Sequence, residues 1–164
     1  MVFSRKDAII LVSFLKILNY NNALYNELIE TSLAETNNES ENFSDTQKNS
    51  LARKYLIYQL SETKNSYLIH VIKKMLNKEV TIVGKEPKLF ACNCCHYKTL
   101  RVKSEYSICP VCFWEDDGVN QDDAYSVPND MKLGEARKQF SLNKSCDVKY
   151  LQYLNEDRFL MYGK

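Results

Sequence analysis

Glycine and histidine are both scarce in this chain, with four and two copies among 164 residues. So few glycines leave no Gly-rich loop to cradle a phosphate, and no nucleophile elbow occurs. The histidines are His70 and His96, and no Ser-His-Asp order can be assembled around them. An excess of one charge sign is missing too. Lys and Arg total 22 against 21 Asp and Glu, a net charge of +1, so no global field draws the chain to nucleic acid or an anionic membrane. Long hydrophobic runs are also absent. The run Ala8 to Leu15 follows Arg5 and Lys6, as in a secretory leader. It contains Ser13, meets Lys16 directly, has no small-x-small site after it and is too short to span a bilayer. The expectation is a cytoplasmic protein without membrane contact.

What is present describes an ordinary globular chain, 45% hydrophobic and 26% charged, long enough for one domain or a domain with a smaller appendage. Its eleven tyrosines suit half-buried packing and interface contact alike. Ser4 and Asp7 form a variant capping box ahead of Ala8, Leu11, Leu15 and Leu18, which predicts a helix from Arg5 to Leu18. Asn21 or Asn22 can cap a second helix carrying Leu24, Tyr25, Leu28 and Ile29. Glu35 to Gln47 is polar and reads as a loop. Leu51, Ala52, Tyr55, Leu56 and Leu60 mark a third helix, and Leu68, Ile69, Ile72, Met75 and Leu76 a fourth. His70 falls inside that fourth pattern and is expected to pack partly buried. Val80 to Val83 is a short β-rich run.

The chain changes character near Leu89. Leu89 to Ala91, Tyr97 to Val102 and Tyr106 to Ile108 read as short strands around two cysteine clusters. An acidic loop follows over Glu115 to Asp123, then a short helix on Leu133, Ala136, Arg137 and Phe140, and a terminal helix on Val148, Leu151 and Leu154. The fold class expected is α+β: a helical unit over 1–86 and a small zinc-ribbon-like module over 87–164.

Six cysteines in a reducing compartment, five of them in two tight clusters, read as a metal signal rather than a disulfide framework. Cys92 with Cys95, and Cys109 with Cys112, form two C-x-x-C pairs separated by enough chain for a hairpin. Each such turn projects both thiolates to one side, so two turns can supply four sulfurs to one structural zinc ion. Cys94 and His96 lie close enough to replace Cys92 or Cys95. Cys94 suits the turn geometry poorly and is read as a thiol behind the site or at the surface. His96 is read as a turn residue where glycine often sits, Cys146 as a packed thiol, and Pro110 as fixing the second turn.

The segments Phe90-Ala-Cys-Asn-Cys-Cys-His-Tyr-Lys-Thr-Leu100 and Tyr106-Ser-Ile-Cys-Pro-Val-Cys-Phe-Trp-Glu-Asp-Asp-Gly118 resemble the bacterial cysteine-rich CPCC family. Pro128-Asn129, Leu133-Gly-Glu-Ala-Arg137 and Phe140 fit the family's tail, so the resemblance covers roughly residues 89 to 150. Tyr67 to Val83 looks like the helical segment that precedes the domain in longer members. The chain departs from the pattern at Asn93, where the family has Pro, at His96, where it has Gly, and at Lys132, where a Ser would cap the helix. The resemblance implies a zinc-ribbon-like module and little chemistry.

Trp114, Glu115, Asp116, Asp117, Asp122 and Asp123 are the candidate partner-binding residues, because a rigid metal turn could present them to a basic protein. No catalytic residues are assigned. The expected function is that of a non-catalytic bacterial zinc protein that binds another protein, most sharply an immunity protein neutralising a basic toxin domain. The alternatives are a nucleic-acid-binding zinc ribbon, with Lys98, Arg101 and Lys103 as its cations, and a metal-dependent hydrolase.

Overall fold

The computed structural model describes residues 1–34 and 43–164 and divides into two compact units, Met1–Glu86 and Pro87–Lys164. The fold class is α+β, as expected. No helix among the described residues is long and apolar enough to cross a membrane.

The first unit begins with β1 (Val2–Ser4), which runs directly into α1 (Arg5–Asn19). Ser4 accepts the Asp7 N–H at 3.1 Å, and its hydroxyl donates to the Asp7 carboxylate at 2.7 Å, so the cap fixes the helix start. Asn21 accepts the Leu24 N–H and opens α2 (Asn22–Ala34). Most of the loop expected over Glu35 to Gln47 lies outside the described residues. Its end is helical, because Ser44 and Gln47 form a reciprocal capping box that starts α3 (Asp45–Leu60). Leu28, Ile29 and Leu33 of α2 pack on Ala52 and Leu56 of α3, with Tyr25 and Tyr55 partly buried against them.

α4 (Asn65–Leu76) stops at Asn77, which takes the left-handed conformation at φ 51°. Its buried face is Tyr67, Leu68, Val71 and Ile72, whereas Leu76 remains 39% exposed. The stripe is thus rotated from the one the spacing predicts, and it carries His70 to the exposed side, correcting its expected partial burial. β1 was not expected. It pairs in parallel with β2 (Thr81–Val83), in the register Phe3 to Ile82, a partner too distant for any local signal. The Arg5 guanidinium ties this corner together by donating to the carbonyls of Ser61 and Thr63 and to Asn65 Oδ1.

In the second unit, β3 (Phe90–Ala91) pairs antiparallel with β4 (Lys98–Leu100). The outer side of β4 receives the chain's last residues: Lys98 N–H donates to the Gly163 carbonyl at 2.7 Å. The strand expected at Tyr106 to Ile108 is reduced to one bridge between Ile108 and Glu115. Ser104 and Tyr106 hold positive φ angles of 62° and 57°, which no extended run can contain. β5 (Tyr125–Ser126) and β6 (Met131–Lys132) form a second small hairpin, too short to show a period in sequence. It leads into α5 (Leu133–Asn143), where Glu135 accepts the Lys132 N–H at 3.1 Å and supplies half of a capping box. The terminal helix expected near Val148 is a 3-10 turn over Val148–Tyr153, followed by α6 (Arg158–Met161).

Candidate metal centre

Cys92, Cys95, Cys109 and Cys112 come together with all four sulfurs within 4.8 Å of one another, and every one is buried. Two close approaches cross between the pairs, at 3.7 Å from Cys92 to Cys112 and 3.6 Å from Cys95 to Cys109. Four sulfurs bound at about 2.3 Å around one ion stand about 3.8 Å apart, so the cluster has the dimensions of a tetrahedral site. None of the six cysteines is in a disulfide.

The two turns repeat each other bond for bond. His96 N–H donates to the Cys92 carbonyl at 2.9 Å, and Phe113 N–H to the Cys109 carbonyl at 2.8 Å. Cys92 N–H donates to Tyr97, and Cys109 N–H to Trp114, so each turn caps a minimal hairpin. The residue after each second cysteine is left-handed: His96 at φ 64° and Phe113 at φ 70°. His96 is exposed and outside the cluster. Cys94 is buried, which settles its surface alternative in favour of a packed thiol, and Cys146 is buried as expected. Cys146 does contribute through its backbone, since its N–H donates to the Cys112 carbonyl at 2.8 Å.

The electrostatics of the cluster invite a cation. Burial opposes the Cys109 thiolate, but hydrogen bonding with Cys112, Cys92, Cys95 and Thr99 carries this thiol well below its ordinary range. Thr99 Oγ1 lies 3.2 Å from its sulfur. Cys95 is pushed up chiefly through its hydrogen bond to Cys109, and Cys112 is pushed up by burial. One thiolate is therefore favoured while neighbours resist ionising beside it. A divalent metal removes that conflict, and the donor set of four soft sulfurs fits such an ion.

The acidic segment after the second turn is partly structural. Trp114 has 0% and Asp116 1% of its surface exposed, so both are withdrawn from the expected partner-binding residues. Trp114 is one of the largest fully buried side chains, and its carbonyl accepts the Cys109 N–H. Asp116 accepts the Ser104 N–H at 2.7 Å, and its backbone exchanges bonds with Tyr106 and Ser107, pinning the preceding loop. Gly118, at φ 88°, stands where a Cβ would come 2.7 Å from Ser104 Oγ. Asp117 accepts the Val119 N–H within its own turn, and Asp122 is paired with Arg137 at 2.5 Å. Asp122 and Asp123 are exposed, and Glu115 and Asp117 partly so.

Sequence reasoning passed over several supports of the site. Asn129 is buried, and its amide both accepts from the Glu115 N–H and donates to the Glu115 carbonyl, mimicking a strand partner. Arg137 donates twice to the Asn93 carbonyl, and Arg158 donates to the Val111 carbonyl. These partners are set by tertiary approach, and only the bare presence of an arginine on a predicted helix hinted at one of them.

Residues 90–158 match the family model described as Cysteine-rich CPCC, so the second unit carries a domain of that family. Neither a curated protein nor a solved structure matches the chain significantly.

Proposed function

We propose that this chain, built around a cysteine-rich CPCC domain, is a non-catalytic zinc protein of bacteria that acts by binding another protein. The most specific form of this reading is an immunity protein that neutralises a toxin. The observation that carries it is the closed set of four buried sulfurs. Zinc suits four thiolates at tetrahedral spacing, and such a site keeps no open position for substrate, which favours a structural ion over hydrolysis. The ion's part is to hold the two turns together. Around them the chain presents Glu115, Asp117, Asp122 and Asp123, a negative surface suited to a basic toxin domain.

Elemental analysis of native, untagged protein should give one zinc per chain, and a value far below one would remove the metal reading. Co-purification with the product of the neighbouring gene tests the partner. The doubly reversed variant Glu115→Lys, Asp123→Lys should associate at least about tenfold more slowly at low salt, with a flatter salt dependence. Unchanged kinetics would move the contact off the acidic surface.

A second reading, nucleic-acid binding, draws on one feature. Lys103 sits 6.0 Å from the ring of exposed Phe90, and residues 101–108 are exposed throughout, with Lys98 close by in sequence. Cations beside an open ring suit a stacked base. Salt-sensitive binding to a single-stranded oligonucleotide that is lost in Lys103→Glu would favour this reading over protein binding.

A further inference from the structure

The two cysteine turns share one backbone pattern but are secured differently. The second carries Pro110 directly after its first cysteine, which locks one φ angle, whereas the first has Asn93 in that place. The second is also held from outside at two carbonyls: Cys112 accepts the Cys146 N–H and the Ser145 hydroxyl, and Val111 accepts Arg158. The first turn is held through Asn93. Its carbonyl accepts both Nε and Nη2 of Arg137, at 3.0 and 2.8 Å, and its side-chain amide donates to the Val119 carbonyl at 2.8 Å. Arg137 is oriented in turn by Asp122.

We propose that the Arg137–Asn93 clamp is the positioning element that keeps Cys92 and Cys95 on the metal, doing for the first turn what proline does for the second. A forked guanidinium on one carbonyl fixes both the position and the tilt of a turn, and a lysine cannot reproduce that geometry. The clamp acts on the Asn93 carbonyl and replaces no sulfur. Its loss leaves all four ligands in place but lets one pair depart before the other. The inference rests on the metal reading, and zinc content of the wild-type protein tests that reading by itself.

The experiment compares zinc release to a chromogenic chelator from the full chain, for wild type, Arg137→Met and Arg158→Met, with alkylation mapped by mass spectrometry during release. Arg137→Met should speed release about tenfold or more, the range typical of lost outer partners of metal ligands. Cys92 and Cys95 should be alkylated ahead of Cys109 and Cys112. Arg158→Met should speed release less, because the second turn keeps Pro110 and the Cys146 and Ser145 donors to its Cys112 carbonyl. Arg137→Lys should behave like Arg137→Met. If Arg137→Met does not fold, Asp122→Ala tests the clamp by releasing the guanidinium from its orienting carboxylate, with a smaller acceleration and the same order of alkylation. Release within twofold of wild type would overturn the proposal. So would simultaneous alkylation of all four cysteines, which is the signature of general unfolding.

Discussion

His96 and Phe113 occupy equivalent left-handed positions, and the energetic balance differs between them. A side chain at such a φ angle costs about 1 kcal/mol or more relative to glycine. His96 is exposed, with the carbonyl-side bond of its turn made through its backbone. Phe113 recovers the strain by stacking on Tyr150 at a centroid distance of 4.4 Å, with Tyr153 at 5.7 Å. His96→Gly should therefore stabilise the metal-loaded protein by about 0.5 kcal/mol, once the greater freedom of glycine in the unfolded chain is set against the relieved strain. Phe113→Gly should destabilise it by about 1–3 kcal/mol, because the stacking is lost with the strain. Denaturant unfolding with zinc present measures both. A loss of stability in His96→Gly would show that the imidazole does more than occupy the turn.

At the scale of elements, α4 shows how a pattern can be right in kind and wrong in phase. Leu68→Ala, at a fully buried position, should cost about 2–5 kcal/mol, whereas Leu76→Ala, on the exposed last turn, should cost under about 1 kcal/mol. Equal losses would restore the face that the spacing predicts. The helices were legible because their signals are local: Ser4 with Asp7 acts within one turn, whereas the equally local pair Ser44 and Gln47 was passed over inside a polar stretch read as loop. The cysteine cluster was legible for the same reason, since each turn is closed by bonds inside itself. The pairing of Phe3 with Ile82 and of Lys98 with Gly163 was not, because the partners lie far apart in sequence. The acidic segment misled through charge. A run of carboxylates reads as solvated, yet Asp116 finds a backbone donor at Ser104 and Asp122 finds Arg137. Burial of a carboxylate is decided by donors that only the folded chain brings near.

For the whole molecule, the proposed metal would act in one unit only, and the two units should respond differently to its removal. All four ligands lie in Pro87–Lys164, as does the chain's single tryptophan, Trp114, buried behind the second turn. On the proposed reading, a unit of this size would gain much of its stability from the ion, on the order of 10 kcal/mol in small zinc-binding peptides. The first unit draws instead on its own core, Leu28, Ile29, Leu33, Ala52 and Leu56 between α2 and α3. Chelation of the full chain should therefore expose Trp114 and red-shift its emission, while the helical circular dichroism of α1 to α4 persists. Acid should do the same, and the sign follows from the thiols. Cys95 is raised by its bond to Cys109 and Cys112 by burial, so in the metal-free fold both are protonated at neutral pH. Metal binding must displace those protons, so retention is strongest at alkaline pH and weakens as the pH falls. Emission and helical signal, followed together on titration with chelator and then with acid at fixed zinc, test both statements. Loss of both signals in a single transition would mean that the helical unit depends on the metal as well. An unshifted Trp114 emission after complete zinc removal would mean that packing alone, with Trp114, Val111 and Leu133 all buried, holds the second unit closed.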